Sequence, residues 1–393
     1  MPSRPRNVRI LAAVSALQDL ASEMVFPLLP LFLVGPLGAP VVAVGFMEGL
    51  AETVSAALRL GGGHASDRTG RRKPFVVAGY AASGLAKPLY ALASVWPHVV
   101  AARFLDRVGK GVRTAPRDAL LADSSDARRY GATFGFHRAM DTLGAVGGSA
   151  AALAVVVLAA GQTPFQSVFV LAAVPALAAV LVATLVREVP GTPRAPLRLR
   201  GALAALPRPL RLVLAASGLF AVARVSDAFL LVRAHELGAG LAEALALYVL
   251  LNIVFAATAI PAGRLADRVG RLTVLLASFL VFAVVASGFA LATRETLPVW
   301  FAAAGLFLGL SDGVARAAVS ELSPAGLRGT ALGAHSAVLA FAALPAGTAL
   351  GAVWQLLGAP VAFALAAAVA LASAVVLAWA RREAQKGISG VPA

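Results

Sequence analysis

The chain has 393 residues, is 59% hydrophobic and carries only 13% charged residues. Soluble domains are about 45–50% apolar and about 25% charged, so a water-facing core of this composition would leave large apolar patches exposed, and the chain belongs in lipid. The net charge of +15 sits in short arginine clusters between apolar stretches, which argues against a nucleic-acid partner, and the lack of cysteine excludes disulfides and thiolate metal sites.

A spanning helix takes roughly 20 residues. Apolar stretches of that size run through 8–34, 38–60, 74–96, 97–119, 128–160, 164–186, 210–236, 240–263, 272–293, 296–320, 327–355 and 358–380. Twelve spans define an all-α membrane protein. The first follows Arg4, Arg6 and Arg9 and continues past Asp19 and Glu23 with no cleavage signature, so it reads as a membrane helix rather than a leader. Asp19 and Glu23 are four apart and share one helix face near mid-membrane. Glu48 and Glu52 repeat that spacing in the second span. Gly63, Asp67, Arg68, Gly70 and Arg71 then spell G-x-x-x-D-R-x-G-R in the following loop. The third span has one ionisable residue, Lys87. In the fourth, Arg103, Asp106, Arg107 and Lys110 fall at i, i+3, i+4 and i+7, a continuous polar stripe. The fifth places His137 four residues before Asp141, with Arg138 adjacent, and adds Gly144, Gly147 and Gly148 for close helix packing. The sixth has no ionisable residue.

After a Pro- and Arg-rich connection, 188–209, the pattern begins again. Arg224 and Asp227 mark the seventh span, and the loop signature returns as Gly263, Asp267, Arg268, Gly270 and Arg271. Asp312 and Arg316 mark the tenth span, while the ninth and twelfth are free of charge. Ser22-Glu23 recurs as Ser226-Asp227, and Gly131, Gly135 and His137 recur as Gly329, Gly333 and His335. The expected organisation is two pseudo-symmetric six-helix bundles, 1–187 and 210–393, joined by 188–209, an arrangement found mainly in transporters. Basic residues gather in alternate loops, including Arg68, Arg71, Arg72, Lys73, Arg117, Arg128, Arg129, Arg328, Arg381 and Arg382, whereas 35–39, 161–163 and 356–358 have none. That asymmetry puts both termini in the cytoplasm, and the expected location is a prokaryotic inner (plasma) membrane.

A charge at the centre of a spanning helix costs at least about 2.5–3.5 kcal/mol on insertion scales. The charged first, second, fourth, fifth, seventh and tenth spans should therefore border a wet passage or pair with one another, and the charge-free spans should face lipid. The carboxylates Asp19, Glu23, Glu48, Glu52, Asp141 and Asp227 are candidates to carry a coupling proton, since a carboxylate in such surroundings suits reversible protonation. Arg103, Asp106, Arg107, Lys110, His137, Arg138, Arg224, Asp312 and Arg316 are candidates to contact a solute. Single pairs such as Asp106–Arg107 and Asp312–Arg316 fit equally well as internal salt bridges that hold helices together, and His137 and His335 fit as packing residues.

The loop sequences GHASDRTGRR and GRLADRVGR, in matching loops of a twelve-span chain, resemble the duplicated cytoplasmic motif of the major facilitator superfamily. The resemblance covers essentially the whole chain. It implies helices 1, 4, 7 and 10 around a central cavity, helices 3, 6, 9 and 12 outside, and a gating role for the two signatures. The fourth span departs from many relatives by carrying charge at small or apolar positions, and GKGVRTAPRDAL, from Gly109 to Leu120, resembles the signature of a subgroup. The fifth span lacks the G-P pair associated with drug–proton antiporters.

The expectation is a monomeric, proton-coupled secondary transporter of a small polar or anionic solute, partnered by lipid, solute and protons. A proton-driven exporter of amphipathic compounds is the alternative, although aromatics are only 7% of the chain and such an exporter calls for aromatic-lined walls. A transport-inactive sensor or scaffold is a third reading, and it usually brings a soluble domain that the short tails lack. No phosphate-cradling loop, His-Glu-x-x-His helix or Gly-x-Ser-x-Gly elbow appears, so no enzyme chemistry, cofactor or metal is expected.

Overall fold

Pro27 cannot donate a backbone hydrogen bond and clashes with a helical turn before it, so the first span breaks there. In the computed structural model, which describes residues 4–125, 130–158, 164–189, 206–324 and 327–389, that span forms α1 (Arg4–Val25) and α2 (Leu28–Val34). There follow α3 (Val41–Thr69), α4 (Lys73–Ala91), α5 (Trp96–Asp123), α6 (Tyr130–Leu158) and α7 (Pro164–Thr184). The seventh span is broken too, into α8 (Arg208–Ala223) and α9 (Asp227–Glu236). Then come α10 (Leu241–Val269), α11 (Arg271–Ala290), α12 (Leu297–Glu321), α13 (Arg328–Leu357) and α14 (Ala359–Ser389). Most of the 188–209 connection, the 161–163 loop, Arg128 and Arg129 and the side chain of Arg4 lie outside the described residues.

Ten spans among the described residues are long and apolar enough to cross a membrane, with α1–α2 and α8–α9 each forming one of them. Helices α4 and α5 complete the twelve: Lys87 and Pro88 interrupt α4, and α5 carries the polar stripe. Three span ends differ from expectation. The signature stretches 63–68 and 263–268 are helical, because nothing breaks the helix until Gly70 and Gly270, which sit at φ 64 and 94 where a side chain would be strained. Likewise α5 continues to Asp123, so Arg117 is a helix residue rather than a loop charge.

Packing divides the chain into two compact units, one of Met1–Ala39, Leu50–Pro196 and Gly240–Val249, the other of Pro40–Gly49, Leu197–Ala239 and Leu250–Ala393. In the first, α1 packs on α6 and α7 and α4 packs on α5 and α7; in the second, α8 packs on α13 and α14 and α11 on α12 and α14. The same pairings thus occur twice, as the sequence repeat requires. Charge-free α7 turns Val170, Val174, Leu177 and Leu181 outward at helical spacing, and α14 exposes Leu365, Leu371, Val375 and Trp379. Such apolar stripes suit hydrocarbon.

Assignment of the Pro40–Gly49 tip of α3 to the second unit has a local cause. Gly45 and Gly49 meet α13 at Gly347 and Leu344, and a Cβ at Gly45 would collide with the Gly347 carbonyl. Val41 N donates to Gln355 Oε1 across the same contact at 2.9 Å. Both helices carry a G-x-x-x-G spacing there, GFMEG at 45–49 and GTALG at 347–351, which lets backbones touch. Gly347→Val should therefore force α3 and α13 apart and lower stability by about 1–3 kcal/mol, the usual cost of overpacking. A thermal melt in detergent, with Gly313→Val (open space at that position) as control, checks it.

Candidate functional site

The polar stripe of α5 is buried against α4 and α1. Lys87 of α4 is 1% exposed, and its Nζ lies 3.3 Å from Asp106 Oδ1 and 3.3 Å from Ser22 Oγ of α1. Arg103 and Arg107 approach the other Asp106 oxygen at 3.8 and 3.9 Å. Arg103 is buried and its guanidinium also lies 5.2 Å from the centre of the Phe26 ring, a cation–π contact beside the Pro27 break. Arg107 reaches onward to Glu52 Oε1 at 3.8 Å. One carboxylate thus serves three cations, and Lys87, which no motif marked, is its nearest partner.

A second run of polar contacts continues toward the signature end of the helices. Ser83 donates to the Asp106 carbonyl at 2.9 Å and accepts from Arg113 at 2.6 Å. Arg113 stacks over Tyr80, whose hydroxyl lies 3.3 Å from Ser15 Oγ. Ser15 accepts from Arg117 at 3.0 Å and contacts His137 Nε2 at 3.0 Å. The other His137 nitrogen is 3.4 Å from Asp141, and Arg117 pairs with Asp118 at 2.8 Å. Gly144 and Gly148 of α6 make this possible: a Cβ at either would strike the α1 carbonyls of Ala16 or Leu20, so α6 lies directly on α1 and delivers His137 to Ser15.

Among the predicted residues, Arg103, Asp106, Arg107 and Glu52 belong to the first run and His137 and Asp141 to the second. Glu23 accepts a hydrogen bond from Tyr248 at 2.8 Å, from the Gly240–Val249 segment that belongs to the first unit. Asp19 and Lys110 lie on the facing stripes, half-buried, with no hydrogen bond or ion pair among the described residues. Arg138 is a further charged neighbour of Asp141.

The second unit is plainer. Asp227 opens α9 after an extended break, where Ser226 caps the helix by accepting from Ala228 N at 3.4 Å. Its charged neighbours are Arg224 and Glu48. Asp312 and Arg316 form a local, exposed i,i+4 pair at 2.6 Å, and buried His335 lies near both.

At the signatures, Arg72 pairs with Asp123 at 2.9 Å and with Asp67 at 3.8 Å, while Arg271 pairs with Asp267 at 3.3 Å and with Glu321 at 3.4 Å. In each unit the loop therefore clasps the last acid of a neighbouring helix, α5 or α12. Arg68, Arg71 and Arg268 form no ion pair among the described residues. Glu188, which reads in sequence as the start of the connection, instead caps α4: its carboxylate accepts from the backbone N–H groups of Arg72 and Lys73, each at 3.0 Å. Asn7 ties the same end together through Ser124 and Arg187. Glu188→Ala should cost about 0.5–2 kcal/mol, as loss of an N-terminal cap does. A lowered melting temperature with unchanged behaviour in Glu188→Asp would check it.

The family model of the Major Facilitator Superfamily matches residues 11–232 and 212–393. A sequence relative, an uncharacterized MFS-type transporter of Methanocaldococcus jannaschii, is 35% identical over 358 residues, covering 89% of each chain. An uncharacterized protein of Mycobacterium tuberculosis is 32% identical over 145 residues, 36% of this chain and 34% of its own. Among solved structures, the nucleoside transporter NupG superposes with TM-score 0.80 at 12% identity over 95% of this chain and 98% of its own. A POT family transporter in complex with 5-aminolevulinic acid gives TM-score 0.77 at 12% identity, covering 96% of each chain. At that identity the likeness speaks for the fold alone.

Proposed function

We propose, from the premise that the chain belongs to the major facilitator superfamily, that it carries a small polar or charged solute by alternating access and couples the movement to protons. Membership makes it an integral membrane transporter rather than an enzyme, with the lipid bilayer around it and a small molecule as cargo. We take it to act as a monomer in a prokaryotic inner membrane, without a nucleic-acid partner. The basic loops argue for cytoplasmic termini and a cytoplasmic 188–209 connection between the halves 1–187 and 210–393.

The observation that carries the proposal is the setting of Glu23. It lies in the last turn of α1, just before the Pro27 break, and its one hydrogen bond among the described residues comes from Tyr248. Discontinuous spans mark the solute and ion sites of such transporters. Here each half has one break within a few residues of a repeated pair, 26–27 just after Ser22-Glu23 and 224–226 just before Asp227. A carboxylate that accepts from a tyrosine can take up a proton and release that contact, so its charge state is tied to the position of the Tyr248 helix. Asp106, held by three cations, is poorly suited to give up its charge. We therefore assign it to structure and Glu23 to coupling.

The amphipathic-exporter alternative is less well supported. Phe220, Phe279, Phe282 and Phe307 form an aromatic cluster, but all four are buried in the packing of the second unit. The test is solute-dependent proton movement in proteoliposomes holding a pH dye. Proton entry on adding a transported polar solute supports coupling, and solute flux that ignores the proton gradient refutes it.

A further inference from the structure

On the facing stripes of α1 and α5, two side chains of opposite sign make no hydrogen bond or ion pair among the described residues. They are Asp19 and Lys110, both half-buried. Their placement is fixed by the contacts on either side. Ser15, one turn before Asp19, accepts from Arg117, and Ser22, nearly one turn after it, accepts from Lys87, which is itself paired with Asp106. On α5, Lys110 and Arg113 lie between Asp106 and Arg117 on a single stripe, at i, i+4, i+7 and i+11. The segment of α1 between these two cross-links therefore faces the segment of α5 between the same two. Asp19 has Lys110, Arg113, Arg117 and Asp141 as its charged neighbours, and Lys110 has Asp19, Glu52, Arg107 and Arg113.

Their other charged neighbours are engaged. Arg113 is held by Ser83 and Tyr80, Arg117 by Asp118, Asp141 by His137, and Arg107 by Asp106 and Glu52. What remains is one acid and one base. A simple anion would satisfy Lys110 but leave Asp19 repelling it, and a simple cation would do the reverse. Either would also leave an uncompensated charge among half-buried ionised groups, which is costly. A solute bearing both signs satisfies both side chains and leaves the net charge unchanged.

We propose that Asp19 and Lys110 together bind a zwitterionic solute, with Lys110 taking its carboxylate or similar anion and Asp19 its ammonium group. The proposal rests on the transporter reading and narrows its cargo. It replaces the sequence-based leaning toward an anion, which counted the bases of α5 without knowing that Arg103 and Arg107 were already committed to Asp106.

The experiment uses the full chain, purified, with a panel of α-amino acids, ω-amino acids from glycine to 6-aminohexanoate, and dialanine. Each zwitterion is paired with its N-acetyl derivative (anion only) and its methyl ester (cation only). Thermal stabilisation reads binding, and counterflow in proteoliposomes reads transport. At least one zwitterion should bind, and both of its capped forms should bind about 10-fold or more weakly, since groups built to be paired reject the ligand that lacks a partner. Asp19→Asn should abolish the discrimination against the N-acetyl form, and Lys110→Gln that against the ester. Neither side chain makes a hydrogen bond or ion pair among the described residues, so both variants should melt close to the parent. The proposal fails if no zwitterion in the panel binds, if an N-acetyl form binds as tightly as its parent, or if discrimination persists in both variants. Transport of a capped anion would sink it while leaving the transporter reading intact. A zwitterion that binds in this charge-dependent way but never crosses the membrane would support the site and refute transport.

Discussion

Asp106→Ala should be among the most damaging single substitutions in the first unit, costing about 3–5 kcal/mol, the usual price of removing one partner from a buried ion pair. The Asp106 side chain is 5% exposed and is the common partner of Lys87, Arg103 and Arg107. Its removal leaves three cations facing one another in a poorly hydrated interior. Lys87→Met should be milder, because Asp106 keeps both arginines and the methionine fills the space. The double variant should melt above Asp106→Ala alone, since it removes one of the stranded cations. Melting temperatures and the monodisperse yield of the three proteins in detergent decide the matter. Equal melting of the two single variants would mean that Asp106 is not the centre of the network.

The fold was largely legible because its signals are long and repeated. Spans of about 20 apolar residues are set by the membrane, and the doubled D-R-x-G-R signature marks the repeat. The G-x-x-x-G spacings at 45–49 and 347–351 were also legible in principle, since they predict a close approach, but spacing alone does not name the partner helix. The candidate site was legible by residue type and not by pairing. Helical periodicity placed Arg103, Asp106, Arg107 and Lys110 on one stripe. It could not show that Lys87, on another helix, would take the nearest place at Asp106. Ser15, Ser83, Tyr80 and Tyr248 carry no sequence signal of their own, because a hydroxyl within an apolar span commonly bonds back to its own helix, as Ser278 does to Leu275. Their roles come from tertiary contacts. Glu188 was misplaced for a related reason: a cap supplied from a residue 116 positions away leaves no local pattern.

The second large effect concerns coupling. Glu23→Gln should cut proton-driven accumulation of solute by about 10-fold or more while exchange of solute across the membrane in the absence of a gradient continues. Glutamine matches glutamate in size and keeps an oxygen that accepts from the Tyr248 hydroxyl, so packing and the hydrogen bond survive. What is lost is the ability to take up and release a proton. Exchange needs only that the loaded carrier change its facing, whereas accumulation against a gradient requires the proton to travel as well. Tyr248→Phe separates the two contributions. It leaves Glu23 able to be protonated but removes a hydrogen bond to a charged group, worth about 1.5–3 kcal/mol. Accumulation should therefore fall without vanishing, and exchange should change in parallel with it. Both activities can be measured in one proteoliposome preparation, with and without an imposed pH difference. Full accumulation by Glu23→Gln would assign the proton to another carboxylate of the unit. Parallel loss of both activities in that variant would make Glu23 a solute contact instead, since only a residue dedicated to the proton spares exchange.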